Sequence, residues 1–584
     1  MARLTGSQII INLLRQNGID VVFGLPGGMI LPLYNELFVS GMRHILVRQE
    51  QAAGFMAQGV ARVTGRAAVC LATSGPGAMN LLTSVADARS DSVPLVAITG
   101  QVNTNLIGTD AFQEADTFGL SFPITKHSVM VKSARELLTA VPLAFAIAES
   151  GRPGPVLVDV PRNVQTELCE VGEDFGTSFR RIYDEYVSKS VRNRTDEASA
   201  PAVVRSITDM LQAAKKPLLY VGGGCNSPAA SERIREFLSI YDIPVISSLM
   251  GLGVVERRNP AFLGMVGMHG TYAAGKAAYD CDLLIAAGAR FDDRAAGVPE
   301  GFCPGARIIH IDIDAAEINK ILPSSVSFVG DTARAFGIIN ESLMAAGISS
   351  SSERGAWLRE CAALRDAERT ELVMSCDAAD CCGEKSCGRR GGAEYKDPRA
   401  LIASLPSGDD IIVTTDVGQH QMWAAQFYDV RRARQFLTSG SLGTMGFGLP
   451  AALGAALAAP GKRVVCVSGD GSILMNIQEL ATLAENNLNV TVIVLENGAL
   501  GMVRQQQEYL FDRHYSASTF PSNPDLLRIA EGFGIRAVDA DLDDDWQEKA
   551  FGAAGPCFVR ARIARCENVL PFVKAGKLNI ESLR

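Results

Sequence analysis

Ser468 to Asn497 reads SGDGSILMNIQELATLAENNLNVTVIVLEN. The apolar run RVVCVS (463–468) that leads into it reads as a buried strand, and it ends on Gly469-Asp470-Gly471-Ser472. The amphipathic MNIQELATLAE reads as a helix, and VTVIVLEN (490–497) as the next strand of a parallel sheet. A glycine-rich strand-to-helix turn aims backbone N–H groups and the positive end of a helix at phosphate oxygens. Asp470 adds a carboxylate for a hard cation. Asn497, ending the neighbouring strand, adds an amide oxygen, and Mg²⁺ favours a few such ligands completed by phosphates. A lone GDG is equally well read as a turn whose Asp caps the helix. The Asn standing 26 residues after Gly471, in strand–helix–strand context, makes the segment a magnesium–diphosphate site.

The same grammar runs along the rest of the chain. Its 584 residues exceed what one hydrophobic core supports. VVFGL (21–25), AAVCLAT (67–73), LVAITG (95–100) and PVLVDVP (155–161) are strands of a first block. PLLYVGGG (217–224), IPVISS (243–248), LLIAAGARF (283–291) and RIIHIDID (307–314) belong to a second, and DIIVTTDVG (410–418) joins the opening segment in a third. The expected fold is α/β, with three doubly wound parallel-sheet domains at 1–185, 196–347 and 398–584. The polar passage 188–202 separates the first two, and a linker spans 348–397, one helical stretch followed by a run rich in Gly, Cys and charge. Blocks one and three could be related folds, which pattern alone leaves open. A composition of 47% hydrophobic and 20% charged residues, with 56 Gly and 25 Pro, suits a compact enzyme with many turns.

The net charge of −9, without a long basic run, argues against nucleic acid as a partner. No run of 18 apolar residues predicts a membrane span. The N-terminal MARLTGSQIIINLLRQNG reads as an amphipathic helix, not a signal peptide. The 13 cysteines, odd in number and mostly scattered, suit reduced thiols in a bacterial cytoplasm.

The opening segment resembles the thiamine-diphosphate motif shared by pyruvate decarboxylases, transketolases and acetolactate synthases. The resemblance implies the backbone carbonyl of Ala499 as third metal ligand. It also implies a glutamate elsewhere that hydrogen-bonds the cofactor's aminopyrimidine and so promotes loss of the thiazolium C2 proton. Glu50 is the candidate: it follows strand HILVRQ (44–49) and opens the Ala- and Gly-rich QAAGFMAQGVARVTG, whose close packing would leave it poorly solvated. On position alone Glu50 is an ordinary glutamate complementing a helix dipole; beside the metal motif it is the catalytic carboxylate. In the family the two halves of the cofactor site come from different subunits, so a homodimer or homotetramer is implied.

Stretches along nearly the whole chain resemble the acetohydroxyacid (acetolactate) synthase large subunit. They include LPGG (25–28), TSGPGAMN (73–80), IGTDAFQEADT (107–117), PITKH (123–127), GMHGT (267–271), DVGQHQMWAAQFY (416–428) and LTSGSLGTMGFGLPAALGAA (437–456). The resemblance implies that Gly28 presents a backbone N–H to the reaction centre, and that Phe112 and Gln113 line the substrate funnel. Val417, Gly418, Gln419 and His420 would surround the diphosphate side. Gly443 and Met445 would support the folded cofactor, with Met445 as the wedge between its rings.

In the middle block, Arg290-Phe291-Asp292-Asp293-Arg294 resembles the signature of synthases that bind FAD without redox use. The implied flavin contacts are Arg152, Gly222, Gly223, Gly224, Leu249, Met268, His269, Gly288, Arg290, Asp292, Arg294, Asp312, Ile313 and Asp331. Arg294 would also hold a 2-ketoacid carboxylate, for which its planar fork is suited. Surface ion pairs within the cluster are the plainer reading.

Three features depart from the pattern. After Met502 and Val503, Gln506 stands where most members carry Trp, as in a bacterial isozyme subset. Losing that apolar contact should weaken preference for 2-ketobutyrate, since a methylene in a hydrophobic pocket is worth about 1–3 kcal/mol. Arg162 replaces a usual Lys, and Gln49 a usual His. The thiols Cys376, Cys381, Cys382 and Cys387 fit no usual metal spacing and read as part of the linker. The resemblance implies decarboxylation of pyruvate on thiamine diphosphate and ligation of the hydroxyethyl unit to a second 2-ketoacid. The products would be 2-acetolactate or 2-aceto-2-hydroxybutyrate, the first common step of branched-chain amino-acid synthesis, and a small regulatory subunit is the expected partner. Another thiamine-diphosphate carboligase, a 2-ketoacid decarboxylase, or a non-catalytic homologue are the alternatives.

Overall fold

The computed structural model describes residues 2–189, 200–349, 351–374 and 395–584. Three six-stranded parallel sheets, each flanked by helices, organise these residues. In the N-terminal unit the strands are Val21–Gly24, Arg43–Leu46, Ala68–Ala72, Leu95–Gln101, His127–Met130 and Pro155–Pro161. Counted along the chain, their spatial order is 2-1-3-4-6-5. The C-terminal unit has strands Ile411–Thr415, Phe436–Leu437, Arg463–Gly469, Val490–Glu496, Arg536–Asp539 and Cys557–Arg562 in the same order. Blocks one and three are thus copies of one topology. The middle unit, from Pro217–Val221 to Val326–Val329, is ordered 3-2-1-4-5-6. That is the order of dinucleotide-binding doubly wound sheets. Strands such as Leu95–Gln101 and Val490–Leu495 are buried along their length, as helix-covered parallel strands must be, and so read as unbroken apolar runs.

Open parallel sheets bind ligands at the carboxyl ends of strands where the strand order reverses. In the N-terminal unit that point lies after Gly24 and Ala72, where Gly28 and the 73–75 turn sit. In the C-terminal unit it lies after Thr415 and Gly469, beside Val417–His420 and Asp470. In the middle unit it lies after Val221 and Ala287, beside Gly222–Gly224 and Gly288–Arg294.

The N- and C-terminal units lock together through helices Glu50–Thr64 and Gly448–Ala458. A Cβ on Gly59 would sit 2.2 Å from the Ala451 carbonyl oxygen, and one on Gly454 would sit 1.9 Å from that of Met56. Neither position has room for a side chain. The Arg48 amide also donates to the buried Glu479 carboxylate at 2.9 Å.

Several expectations change. The helix expected over 475–485 is broken: a single turn spans Asp470–Ile473, and regular helix resumes at Glu479–Glu485. Between them the Asn476 side chain donates through Nδ2 to the Gly446 carbonyl at 2.8 Å, tying this irregular stretch to loop 438–446, while its backbone N–H bonds back to the Ile473 carbonyl. Arg536–Asp539 and Cys557–Arg562 are strands that the apolar pattern hides, because Arg560 and Arg562 reach out to Asp539, Glu496 and Asp541. The stretch expected to be a linker over 348–397 contains helix Ser352–Met374, which packs on the middle unit. Trp357 there is buried with its indole N–H on the Pro217 carbonyl, and the Glu368 carboxylate accepts from the Tyr272 and Ala273 amides. The boundary placed at residue 185 falls inside helix Phe175–Lys189. Only the two ends of the polar passage 188–202 are described, and both are helical. The Cys376, Cys381, Cys382 and Cys387 cluster lies outside the described residues. Among the described residues no helix is long and apolar enough to cross a membrane.

Candidate active site

A cavity of about 960 Å³ opens between the C-terminal and middle units. Its C-terminal wall includes Val417–His420, Gly443, Met445, Gly469–Ser472, Asn497, Ala499, Met502, Val503 and Gln506, all singled out in the sequence, beside others such as Trp423, Leu442 and Leu500 that were not. Asp470 is 3% exposed. Its Oδ2 accepts from the Gly498 amide and from the Asn523 side chain, both at 2.7 Å, and its Oδ1 from the Gly471 amide at 3.1 Å. Burial, with Glu496 nearby, pushes this carboxyl up to about 6. A buried carboxylate short of positive charge is the environment a divalent cation relieves. Asn497 sits beside it, its Oδ1 accepting from the Ala499 amide at 3.0 Å and its amide pointing at Gln419 Oε1 at 3.3 Å. The donor set is oxygen throughout, which fits Mg²⁺.

His420 is 5% exposed, and its Nε2 has no hydrogen-bond partner among the described residues. Burial pulls the imidazole down to about 3, so it stands neutral at pH 7. An orphaned ring nitrogen on the wall beside Gly469 and Gly471 fits a bound phosphate better than an apolar filler, since a buried polar atom without a partner is costly. The loop above is anchored by Asp416, whose Oδ1 accepts from the Val417 and Gly446 amides. Burial, opposed by these bonds, holds that carboxyl up at about 6.

Glu50 is not on this cavity, nor are Gly28, Phe112 and Gln113. They gather at the switch point of the N-terminal sheet. Glu50 begins its helix, 7% exposed, with its Oε2 accepting from Asn80 at 3.0 Å. A Cβ on Gly75 would meet the Gln113 carbonyl at 2.7 Å, which places the Gln113 loop against the 73–75 turn. Gln113 itself has φ +60, a strained conformation for a residue with a side chain. Phe112 is 81% exposed. The residues expected for the two halves of the site therefore lie at separate places on one chain.

The middle unit supplies the other wall of the cavity: Gly223, Gly224, Leu249, Met268, His269, Gly288, Arg290, Asp292, Arg294, Asp312, Ile313 and Asp331, joined by Arg152 from the N-terminal unit. Gly222 is the exception. A Cβ there would lie 2.1 Å from the Gly288 carbonyl oxygen, so this glycine serves close packing between two loops and does not line the cavity. The expected cluster of ion pairs in 290–294 is largely absent. Arg294 pairs with Asp293 at 3.7 Å, with both side chains exposed, a contact worth little, and its Nη1 donates to Met268 Sδ at 3.4 Å. Asp292 caps the short helix Asp293–Ala296, and Arg290 turns away to Ser441 Oγ and the Ser90 carbonyl. Arg152 is held by Glu317 at 2.6 Å.

Sequence reading missed the residues that orient the main actors. Asn80 lies inside a quoted segment but carries no spacing signal, and Asn523 stands 53 residues beyond the Asp470 it binds. Nothing short of the fold brings them together.

Fold and site define a three-part thiamine pyrophosphate enzyme. Three family descriptions match in sequence order: the N-terminal TPP binding domain at 4–120, the central domain at 204–337 and the C-terminal TPP binding domain at 416–561. The chain belongs to the acetolactate synthase large-subunit family. It is 44% identical over 588 residues to the Escherichia coli (strain K12) acetolactate synthase isozyme 1 large subunit, covering 99% of this chain and 97% of that one. It is also 44% identical to the isozyme 2 large subunit of the same strain, covering 99% of each chain. The acetolactate synthase large subunit of Parasynechococcus marenigrum (strain WH8102) is 41% identical over 99% of this chain and 90% of its own.

Proposed function

We propose that this chain is the catalytic subunit of an acetolactate synthase, joining two 2-ketoacids with loss of CO₂ from the first. The observation that carries the reading is the buried Asp470–Asn497 oxygen pair opening, beside an orphaned His420, onto one large cavity. Asp470, Asn497 and the Ala499 carbonyl would hold Mg²⁺, and Val417–His420 with Gly469–Ser472 would hold the diphosphate. Thiamine diphosphate, when bound, supplies the electron sink for decarboxylating a 2-ketoacid. Asn80 fixes one oxygen of Glu50, which leaves Oε1 to hold and pass the proton that cofactor activation requires. Met445 would support the cofactor from the cavity wall, while Met502, Val503 and Gln506 would shape the acceptor's side. Gln506, in place of a bulky aromatic, supports weak discrimination between pyruvate and 2-ketobutyrate.

The middle unit would take FAD in a structural role. Its strand order, the glycine-flanked loops 223–224 and 288, and the carboxylates of Asp312 and Asp331 on the cavity support a dinucleotide there. Domain assignments follow: the N-terminal unit, through helix Phe175–Lys189, would serve the pyrimidine side, the middle unit with helix Ser352–Met374 the flavin, and residues 398–584 the diphosphate.

The separation of Glu50 from Asp470 supports a homodimer, or a tetramer of such dimers. In it the Glu50 half-site of one chain meets the Asp470 half-site of another, covering exposed apolar groups such as Phe112, Met79, Leu442 and Met475. A small regulatory subunit is the expected further partner, since the relatives are named large subunits.

Incubating the protein with pyruvate, Mg²⁺ and thiamine diphosphate tests the reading. Acetolactate is expected. Acetaldehyde alone would make it a decarboxylase, and no product despite bound cofactor would make it a non-catalytic relative.

A further inference from the structure

The loop 438–446 carries Gly443 and Met445 onto the cavity wall, yet much of what holds it comes from outside the C-terminal unit. Helix Pro76–Ser90 of the N-terminal unit ends against it. Asp87, fully buried, accepts from Ser439 Oγ and, at 2.9 Å, from Thr444 Oγ1. Asp91, the C-cap residue of that helix, accepts from the Gly440 amide at 2.9 Å and the Ser441 amide at 2.8 Å. Arg62, from helix Glu50–Thr64, lies 2.9 Å from Asp91 and 3.6 Å from Asp87, with its guanidinium over the Phe447 ring. Arg290 of the middle unit closes the set: its Nη2 donates to Ser441 Oγ at 2.6 Å and its Nη1 to the Ser90 carbonyl at 3.2 Å.

Two buried carboxylates sharing one arginine are expensive to assemble unless hydrogen bonds satisfy their remaining oxygens. Here the bonds come from one loop: the Gly440 and Ser441 amides go to the two oxygens of Asp91, and the Ser439 and Thr444 hydroxyls both go to Asp87 Oδ1, while Asp87 Oδ2 faces only Arg62 at 3.6 Å. Such a set makes little sense as general packing, because the adjoining helices already pack through apolar faces. It makes sense as a device that fixes a loop.

The same helix serves the other half-site. Asn80, in its second turn, donates to Glu50. Fifteen residues at about 1.5 Å each span roughly 22 Å, so one rigid rod has the catalytic glutamate near one end and the Met445 loop at the other.

We infer that Asp87 and Asp91, with Arg62 between them, are positioning residues for thiamine diphosphate: they hold loop 438–446 so that Met445 meets the cofactor in a fixed place. Neither carboxylate touches the cofactor. They act through Thr444, Ser439 and the Gly440 and Ser441 amides. The inference rests on the cofactor reading above.

The test is calorimetric titration of the full-length apoprotein with thiamine diphosphate at saturating Mg²⁺, alongside melting of the apoprotein. Thr444→Val removes one hydroxyl from Asp87 at a half-buried site and leaves Ser439 and Arg62 in place. We expect cofactor affinity to fall about tenfold, the usual consequence of stripping a buried carboxylate of a donor. We expect Thr444→Ser to restore it, and Asp87→Asn to weaken binding at least as much as Thr444→Val. Wild-type affinity in Thr444→Val would overturn the inference, even if its melting temperature fell, because the contact would then be merely structural. Should Asp87→Asn not fold, the Thr444 pair decides alone. A wild-type protein that binds no thiamine diphosphate would instead sink the cofactor reading.

Discussion

Single side chains divide here into those that chemistry makes conspicuous and those that only geometry reveals. Glu50 is of the first kind, and Glu50→Gln keeps its shape and its bond to Asn80 while removing the titratable oxygen. Acetolactate formation should fall by about 10²–10⁴-fold, while calorimetry still records cofactor binding. An unchanged rate would remove Glu50 from the mechanism. Gln506→Trp should restore the apolar contact that this chain lacks. In a one-pot competition the ratio of 2-aceto-2-hydroxybutyrate to acetolactate should rise by about tenfold or more, the effect of one methylene in an apolar pocket. An unmoved ratio would show that Gln506 does not face the acceptor. Asp470 and Asn497 were legible because each directly follows a strand whose apolar run announces it, whereas His420, in the first turn of helix Gln419–Phe427, was legible only through the family resemblance of its segment. Asn523 and Asp87 were not, since a lone Asn or Asp carries no periodicity. Gly222 was misassigned because a glycine that admits a ligand and one that admits a neighbouring backbone look alike in sequence.

Among elements, long buried strands were the easiest to read and short or charged ones the hardest. Arg536–Asp539 and Cys557–Arg562 hide behind arginines whose stems lie along the sheet while their heads find carboxylates. The helix after the GDG turn follows its amphipathic pattern only from Glu479, because the stretch before it is tied by the Asn476 side chain to the Gly446 carbonyl, a tertiary contact that periodicity does not register. Helix Ser352–Met374 was visible as a helix but not as part of the middle unit, because its burial depends on Trp357 meeting Pro217, 140 residues earlier, and Glu368 meeting the start of helix Tyr272–Asp280, 96 residues earlier. Helices Glu50–Thr64 and Gly448–Ala458 yield the sharpest test at this scale. Gly454→Ala puts a methyl into the Met56 carbonyl and should cost about 1–3 kcal/mol as the helices are forced apart. The melting temperature should fall accordingly, whereas Ala at the exposed Gly461, where nothing lies within 4 Å, should leave it unmoved. Equal melting of the two variants would mean that the helices can slide.

At the scale of the whole molecule, the three-sheet plan was legible from alternating apolar runs. The kinship of the outer two units was not, because strand order is written in no local pattern. The placement of the half-sites leads to a prediction about assembly. Glu50→Gln chains and Asp470→Asn chains should each be nearly inactive alone. Mixed and allowed to exchange, they should recover roughly a quarter of wild-type activity, since half of randomly paired dimers carry one intact site out of two. No recovery would mean that both halves of each site come from one chain.

The interlocking of helices 50–64 and 448–458 also bears on how the chain is made. Ala52, Ala53, Met56 and Ala57 share a core with Leu449, Ala452 and Leu453, nearly 400 residues downstream. During synthesis that face of the N-terminal unit must wait, bare, while the whole middle unit emerges from the ribosome. Domains ordinarily fold in turn as they appear. Here the first to appear is among the last to be finished, so the newborn chain exposes an apolar stripe of small side chains until its final third arrives to cover it.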